Sequence, residues 1–168
     1  TFRAVSQMSA DLEQKGSEGE RLDSAPDVSS GKWFFGNRIC PFAHRAWLAA
    51  TEKGVMGAFR YVHIDLGPGK PAWFKESVSD AATVPCLWVD GKPVFESDIC
   101  AVFMDEAFPD AAPALMPADA VDRASVRLFN AQLSAKFPRP LYALLMNQDA
   151  DKAEEKAKGA TDAMTDVE

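Results

Sequence analysis

Cys40, Cys86 and Cys100 are the three cysteines of the chain, and Cys40 stands among residues that can make a thiol reactive. The stretch from Lys32 to Arg45 reads Lys-Trp-Phe-Phe-Gly-Asn-Arg-Ile-Cys-Pro-Phe-Ala-His-Arg. Trp33-Phe34-Phe35 has the pattern of a buried strand, and Gly36-Asn37 breaks it. Pro41 suits the first position of a helix, where its missing N–H costs nothing. Cys40 therefore falls just before the first turn, near unpaired N–H groups and the positive end of the helix dipole. Arg38, His44 and Arg45 add positive charge nearby. Such surroundings lower a free thiol from about 8.5 to roughly 3.5–7.5, which favours the nucleophilic thiolate. The plainer role for a lone cysteine is a small buried hydrophobe; the polar loop and the Pro-started helix favour the reactive one. Ala43 stands where a Cys-x-x-Cys pair would have its second cysteine, so the motif is monothiol and not suited to dithiol exchange.

The rest of the composition bounds the setting. A chain of 168 residues holds one domain, or one and a fraction, with enough material for a core. Its apolar fraction of 47% and charged fraction of 26% are those of a soluble globular protein. No apolar run approaches the roughly 20 residues that span a bilayer. The net charge of −7, with no basic arm, argues against nucleic acid as a partner. Three cysteines at these spacings do not form a disulfide framework, which points to a reducing compartment. The chain begins at Thr1 without an initiator Met, and is expected to be a processed or incomplete form. The compartment is then cytoplasmic, or an organelle stroma or matrix if a transit peptide preceded Thr1.

The elements that must position Cys40 follow an α/β pattern. Residues 1–30 are mixed polar and read as an extension lying on the surface or on a partner. A helix over about 41–53 places Ala43, Ala46, Trp47 and Ala50 on one face, and Gly54 stops it. Phe59 to Asp65 alternates as a strand, with Tyr61, His63 and Asp65 opposite Val62 and Ile64. A loop rich in breakers leads to one short helical turn at Trp73–Ser77. Cys86–Val89 and Lys92–Glu96 flank Asp90-Gly91, a strong type I′ hairpin signal, so these strands are antiparallel while the first two are parallel. Ser97 is the expected N-cap of a helix over 98–108 with Ile99, Val102 and Phe103 facing inward. The order β-α-β-β-β-α predicts a thioredoxin-like α/β domain over 31–108, with a mixed four-stranded sheet. A Pro/Ala-rich linker covers 109–118, and a partial or truncated helical domain covers 119–168, interrupted at Pro138 and Pro140. His44 and His63 lie too far apart to suggest a metal site.

Taken together, these residues resemble the glutathione transferase superfamily, its omega class most closely. The resemblance covers about 32–133 and is carried by Arg38-Ile-Cys-Pro-Phe-Ala-His-Arg, Asp65-Leu with Lys70-Pro-Ala-Trp-Phe, Val84-Pro85, Glu96-Ser97 and Met104-Asp-Glu-Ala-Phe-Pro. It implies that Cys40 forms a mixed disulfide with glutathione, where most other classes use a hydroxyl that only stabilises the glutathione thiolate. A cysteine there biases the site toward thiol transfer and reduction, such as dehydroascorbate reduction or deglutathionylation, with glutathione as co-substrate and no metal. It also implies a cis Pro85, with the Val84 backbone pairing with the cysteinyl part of glutathione and Phe42 beside it. Glu96 and Ser97 would hold the γ-glutamyl end, Ser97 and the helix N-terminus donating to its carboxylate. Lys70 would meet the glycyl carboxylate, although a solvated loop lysine explains it equally well. Ser97 is also explained by helix capping alone.

The chain departs from that family in three ways, one being the stretch Ser79-Asp-Ala-Ala-Thr that leads into Val84-Pro85. Only about two helices' worth follows the linker, where the family has a bundle that walls the second-substrate pocket. The leader is also longer and more polar than the family needs. These departures support an alternative of another class, a transferase-fold structural or adaptor subunit docked into a larger complex. A homodimer is the other expected assembly. A glutaredoxin-like single domain is disfavoured because the linker and the following helix have no role in it.

Overall fold

A computed structural model describes residues 19–165. Residues 1–18 of the expected leader and the last three residues of the tail lie outside the described residues.

One compact unit ends at Leu115 and a second begins at Met116. The first contains strand β1 (Lys32–Gly36), helix α1 (Pro41–Glu52), strand β2 (Arg60–His63), helix α2 (Ala72–Ser77), strands β3 (Cys86–Val89) and β4 (Lys92–Val94), and helix α3 (Ser97–Ala107). The strands form one sheet in the order β2-β1-β3-β4. β1 runs parallel to β2, with Phe34 opposite Tyr61, and antiparallel to β3, with Phe35 opposite Cys86. A parallel pair needs a crossover, and α1 supplies it. Asp90 and Gly91 join β3 to β4 with φ of 48° and 78°, the left-handed pair that a type I′ turn requires. This is the thioredoxin-like arrangement that the order of sequence elements predicts.

Alternation along β1 divides the core between the two faces of the sheet. Trp33 and Phe35 join Val62, Ile64, Phe74, Val78, Val84 and Cys86 on one face. Phe34 joins Ala46, Ala50, Tyr61, Leu87, Cys100 and Met104 on the other, with Trp47 packed against them. The alanine stripe of α1 is buried at Ala43, Ala46 and Ala50, which lets this helix lie close to its neighbours. Gly36 is needed at the end of β1 for space: a Cβ there would come within 2.8 Å of the Phe34 ring and 2.9 Å of the Tyr61 ring.

One sequence expectation changes, and the leader gains a detail that the sequence does not announce. Ile99 does not face inward but is 58% exposed; Ser97, Cys100 and Met104 form the buried stripe of α3 instead. The polar leader, in its described part, is tied to the sheet. Glu20 pairs with β2 as an added parallel bridge, its N–H donating to Tyr61 O at 2.9 Å and its carbonyl accepting from His63 N at 2.9 Å. Arg60 clamps the Glu20 carboxylate with two bonds of 2.7 Å. Further along, Gly91 N–H donates to Val28 O at 3.0 Å, so this stretch also braces the hairpin.

The second unit is helical: α4 (Ala120–Lys136), α5 (Pro138–Leu145) and α6 (Ala153–Thr165). Asp119 caps α4 through bonds to Val121 and Asp122 N–H. The chain breaks at Phe137, and Pro138 opens the next helix, a placement that proline tolerates. Ala160 and Ala163 are the buried positions of α6. No helix among the described residues is long and apolar enough to cross a membrane.

Candidate functional site

Cys40 is the N-cap residue of α1 with extended backbone (φ −84°, ψ 113°), followed by Pro41 at the first helical position. Its carbonyl accepts from His44 N at 3.0 Å and so starts the helix, while its side chain makes no capping bond. The thiol is thus left near the N–H groups of the first turn. Cys40 is 7% exposed, and its Sγ lies 3.9 Å from the Val84 carbonyl oxygen.

The loop that delivers Cys40 is built around Asn37, which is 5% exposed. Asn37 Oδ1 accepts from Ile39 N at 3.0 Å, and its backbone carbonyl accepts from Cys40 N at 3.1 Å. Its Nδ2 donates to Ile64 O at 2.8 Å, tying the loop to the residue after β2. An Asn that bonds the backbone two residues on is a known turn former, so the Gly36-Asn37 pair carried this signal.

Val84–Pro85 is a cis peptide, the form that the resemblance implies, at the entrance to β3. Glu96 sits between β4 and α3 with φ 65° and ψ 126°, outside the ordinary regions for a residue with a Cβ. Glu96 and not Ser97 is the N-cap, and α3 begins at Ser97 with no side-chain cap. The capping role expected of Ser97 is therefore replaced. Its hydroxyl accepts from Arg45 Nη1 at 3.1 Å, and the same nitrogen lies 2.6 Å from Asp98 Oδ1. Arg45 also lies over the Phe42 ring, with 5.4 Å to its centroid.

These segments converge on one cavity of about 240 Å³ lined by Phe42, Thr83, Val84, Pro85, Glu96 and Ser97. Five of the seven residues singled out from the sequence line it, and Cys40 touches its wall at Val84. Lys70 does not line it. The Lys70 ammonium donates to the carbonyl of Ala82, a residue held at φ 51°, and so fastens the loop that leads to Thr83 and Val84. Thr83, Asn37 and the contact of Arg45 with Ser97 and Asp98 were not foreseen from the sequence. Only Asn37 had a local signal; Arg45 and Asp98 meet across 53 positions of sequence.

The other two thiols differ from Cys40 in setting. Cys86 and Cys100 are fully buried, and burial pushes each up to about 12; the neighbouring Cys100 adds to the effect on Cys86, and Glu96 to that on Cys100. Both stay neutral and poorly nucleophilic at physiological pH. Among the described residues no group of three or more His, Cys, Asp and Glu side chains could hold a metal ion.

Residues 39–107 match the family model described as glutathione S-transferase, N-terminal domain. Over 110 residues the chain is 38% identical to "Protein IN2-1 homolog A" of Oryza sativa subsp. japonica, covering 66% of this chain and 44% of that protein. It is 40% identical over 84 residues to "Glutathione S-transferase L1" of Arabidopsis thaliana, covering 50% of this chain and 34% of the relative. The chain thus spans less than half the length of the curated relatives it matches. In shape it is similar to the crystal structure of glutathione transferase Omega 3C from Trametes versicolor, with a TM-score of 0.69 and 24% identity over 96% of this chain and 61% of that one. That likeness shows the fold: a thioredoxin-like domain followed by helices.

Proposed function

We propose, from the match of residues 39–107 to the glutathione S-transferase N-terminal domain, that this chain is a cysteine-type, glutathione-dependent thiol transferase or reductase. The observation that carries the reading is the cavity between Phe42, Val84, Pro85, Glu96 and Ser97, with Cys40 Sγ 3.9 Å from the Val84 carbonyl at its wall. In this reading Val84 pairs with the glutathione backbone, and Glu96 with Ser97 and the α3 N-terminus receives the γ-glutamyl group. Lys70, outside this cavity, contributes through the Ala82 carbonyl by fastening the loop that carries Thr83 and Val84. The chemistry inferred here is of the omega type, carried by the lone Cys40 with Ala43 three positions on.

The exchange balances as two displacements. The Cys40 thiolate attacks the glutathione sulfur of a mixed disulfide; that S–S bond breaks, and the substrate thiolate leaves and takes a proton from solvent. Cys40 is now disulfide-bonded to glutathione. A second glutathione thiolate attacks the bound glutathione sulfur, releasing oxidised glutathione and returning the Cys40 thiolate. Reduction of a glutathionylated peptide or of dehydroascorbate by the wild type, abolished in Cys40→Ser, tests this reading. Full activity in that variant overturns it.

A second reading, an adaptor or structural module, is favoured by one observation. Leu128, Phe129, Leu145, Met146 and Met164 of the helical unit are between 49% and 71% exposed. In that reading the thiol turns nothing over, and these side chains meet a partner or the remainder of a longer chain.

A further inference from the structure

We propose that Asn37 is a positioning residue for Cys40, and that the protonation state of His63 sets how firmly Asn37 holds the loop. This rests on the reading of Cys40 as the reacting thiol. The orientation of the Asn37 amide is fixed by its two backbone partners. The Ile64 carbonyl can only accept, so the nitrogen faces it at 2.8 Å; the Ile39 N–H can only donate, so the oxygen faces it at 3.0 Å. The second Nδ2 proton then points toward His63 Nε2 at 3.3 Å. The same Nε2 lies 3.2 Å from Asp65 Oδ1.

One ring nitrogen therefore stands between a group that only donates and a group that only accepts, and it cannot serve both. Neutral His63 with its proton on Nδ1 accepts from Asn37. The imidazolium carries a proton on Nε2, donates to Asp65, and sets its own N–H against that of Asn37. Among the described residues, Asp65, Arg21 and Arg38 are the charges near His63. Arg21 Nη1 lies 2.8 and 2.7 Å from the two Asp65 oxygens, and Arg38 lines the same cavity as Gly19, Arg21 and His63. Glu20, on the segment paired with β2, is engaged by Arg60. The Arg21 hydrogen bond, and more weakly His63, hold the Asp65 carboxyl below its ordinary value, so Asp65 stays charged above pH 5.

In the Nδ1–H tautomer of neutral His63, acid thus moves the ring from Asn37 to Asp65 and removes one of the bonds around the residue whose carbonyl holds Cys40 N–H. Because Cys40 is only 7% exposed, small shifts of this loop control access to its sulfur. The test is the rate of Cys40 alkylation by iodoacetamide between pH 5 and pH 9, followed by mass mapping. The probe needs no glutathione site. Wild type is expected to show, besides the general rise of thiol reactivity with pH, a second inflection that depends on the His63 ring. His63→Gln presents an acceptor to Asn37 and a donor to Asp65 at every pH, so it should keep the wild-type rate at pH 8 and lose the second inflection. Asn37→Ala should react about tenfold more slowly or faster than wild type at pH 8, as expected for a displaced reacting group, and also lose that inflection. Superimposable wild-type and His63→Gln profiles would overturn the proposal, and so would a wild-type rate and profile in folded Asn37→Ala. If Asn37→Ala fails to fold, the His63→Gln comparison decides alone. His63-dependent alkylation without any glutathione adduct on Cys40 supports this inference and counts against the function proposed above; an adduct with superimposable profiles does the reverse.

Discussion

Arg45, one turn into the helix that Cys40 begins, donates to the hydroxyl of Ser97, the first residue of the helix on the far side of the cavity, at 3.1 Å. The same guanidinium nitrogen pairs with Asp98 at 2.6 Å. α1 and the start of α3 are thereby fixed relative to one another through side chains that touch the lining of the cavity. Phe42 and Ser97 belong to one cavity partly because Arg45 bridges the elements that carry them.

Removing that bridge has two expected effects. The Arg45–Asp98 pair is partly exposed, its side chains at 25% and 37%, so Arg45→Ala should cost only about 1 kcal/mol of stability in urea unfolding. Glutathione affinity should fall about tenfold, because Ser97 loses the bond that orients its hydroxyl. Calorimetric titration of the folded variant measures the second effect. Unchanged affinity would remove Arg45 from the site.

Lys53 offers a sharper stability test away from the site. Its side chain is 1% exposed, with Nζ 2.7 Å from Asp105 Oδ1, 2.9 Å from Ala111 O and 3.3 Å from Pro113 O. Lys53→Met removes the buried ammonium from beside the Asp105 carboxylate, which is 13% exposed and also accepts from Leu115 N. A loss of about 3 kcal/mol is expected in urea unfolding, since breaking a buried pair strands the remaining charge. A loss below about 1 kcal/mol, the range of exposed pairs, would show the pair to be solvated.

Thiol selectivity follows from burial. With Cys86 and Cys100 pushed up to about 12, native protein at pH 8 should take iodoacetamide at Cys40 alone, and urea should open the other two to labelling. The same shifts set a stability trend. Each folded value lies above the ordinary value of 9.0, so between about pH 9 and pH 12 the unfolded chain binds fewer protons than the folded one, and stability must fall as pH rises. Tyr61, pushed from 10.0 to about 12 chiefly by burial, acts in the same direction. The urea midpoint should therefore decline steadily above pH 9, and a flat midpoint up to pH 11 would contradict it.

The strap at Glu20 and Arg21 should respond to acid in the opposite direction. The Arg60 hydrogen bond lowers Glu20, and the Arg21 hydrogen bond lowers Asp65. Depressed carboxyls stabilise the fold above their ordinary values, 4.5 and 3.8, and lose that contribution as pH falls through the folded values. Both pairs are largely exposed, so the effect is local and screened by salt. Amide exchange at Glu20 and His63, corrected for the intrinsic pH dependence, should lose protection below pH 4 before the amides of β1 do.

The sequence showed most of the frame because the frame is locally encoded. The aromatic run Trp33–Phe35, the Pro41 start, the alanine stripe and the Asp90-Gly91 turn each act within a few residues. The parts that were hidden are the ones that join distant positions. Nothing near Glu20 announces its bridge to β2, and nothing near Arg45 announces Ser97. Ile99 was placed inward on periodicity, but α3 turns Cys100 and Met104 to the sheet instead, and a periodic pattern one position off exposes its neighbour. Ser97 has the right type for a cap; the left-handed backbone of Glu96 moves the helix start and frees the hydroxyl for Arg45.

The most direct measurement is the intact mass of the chain after incubation with oxidised glutathione, compared between wild type and Cys40→Ser. A single glutathione adduct on the wild type, absent from the variant, is the expected result, since Cys86 and Cys100 are buried and neutral. No adduct on folded wild type, or an adduct that persists in Cys40→Ser, would contradict the assignment of Cys40 as the reacting thiol.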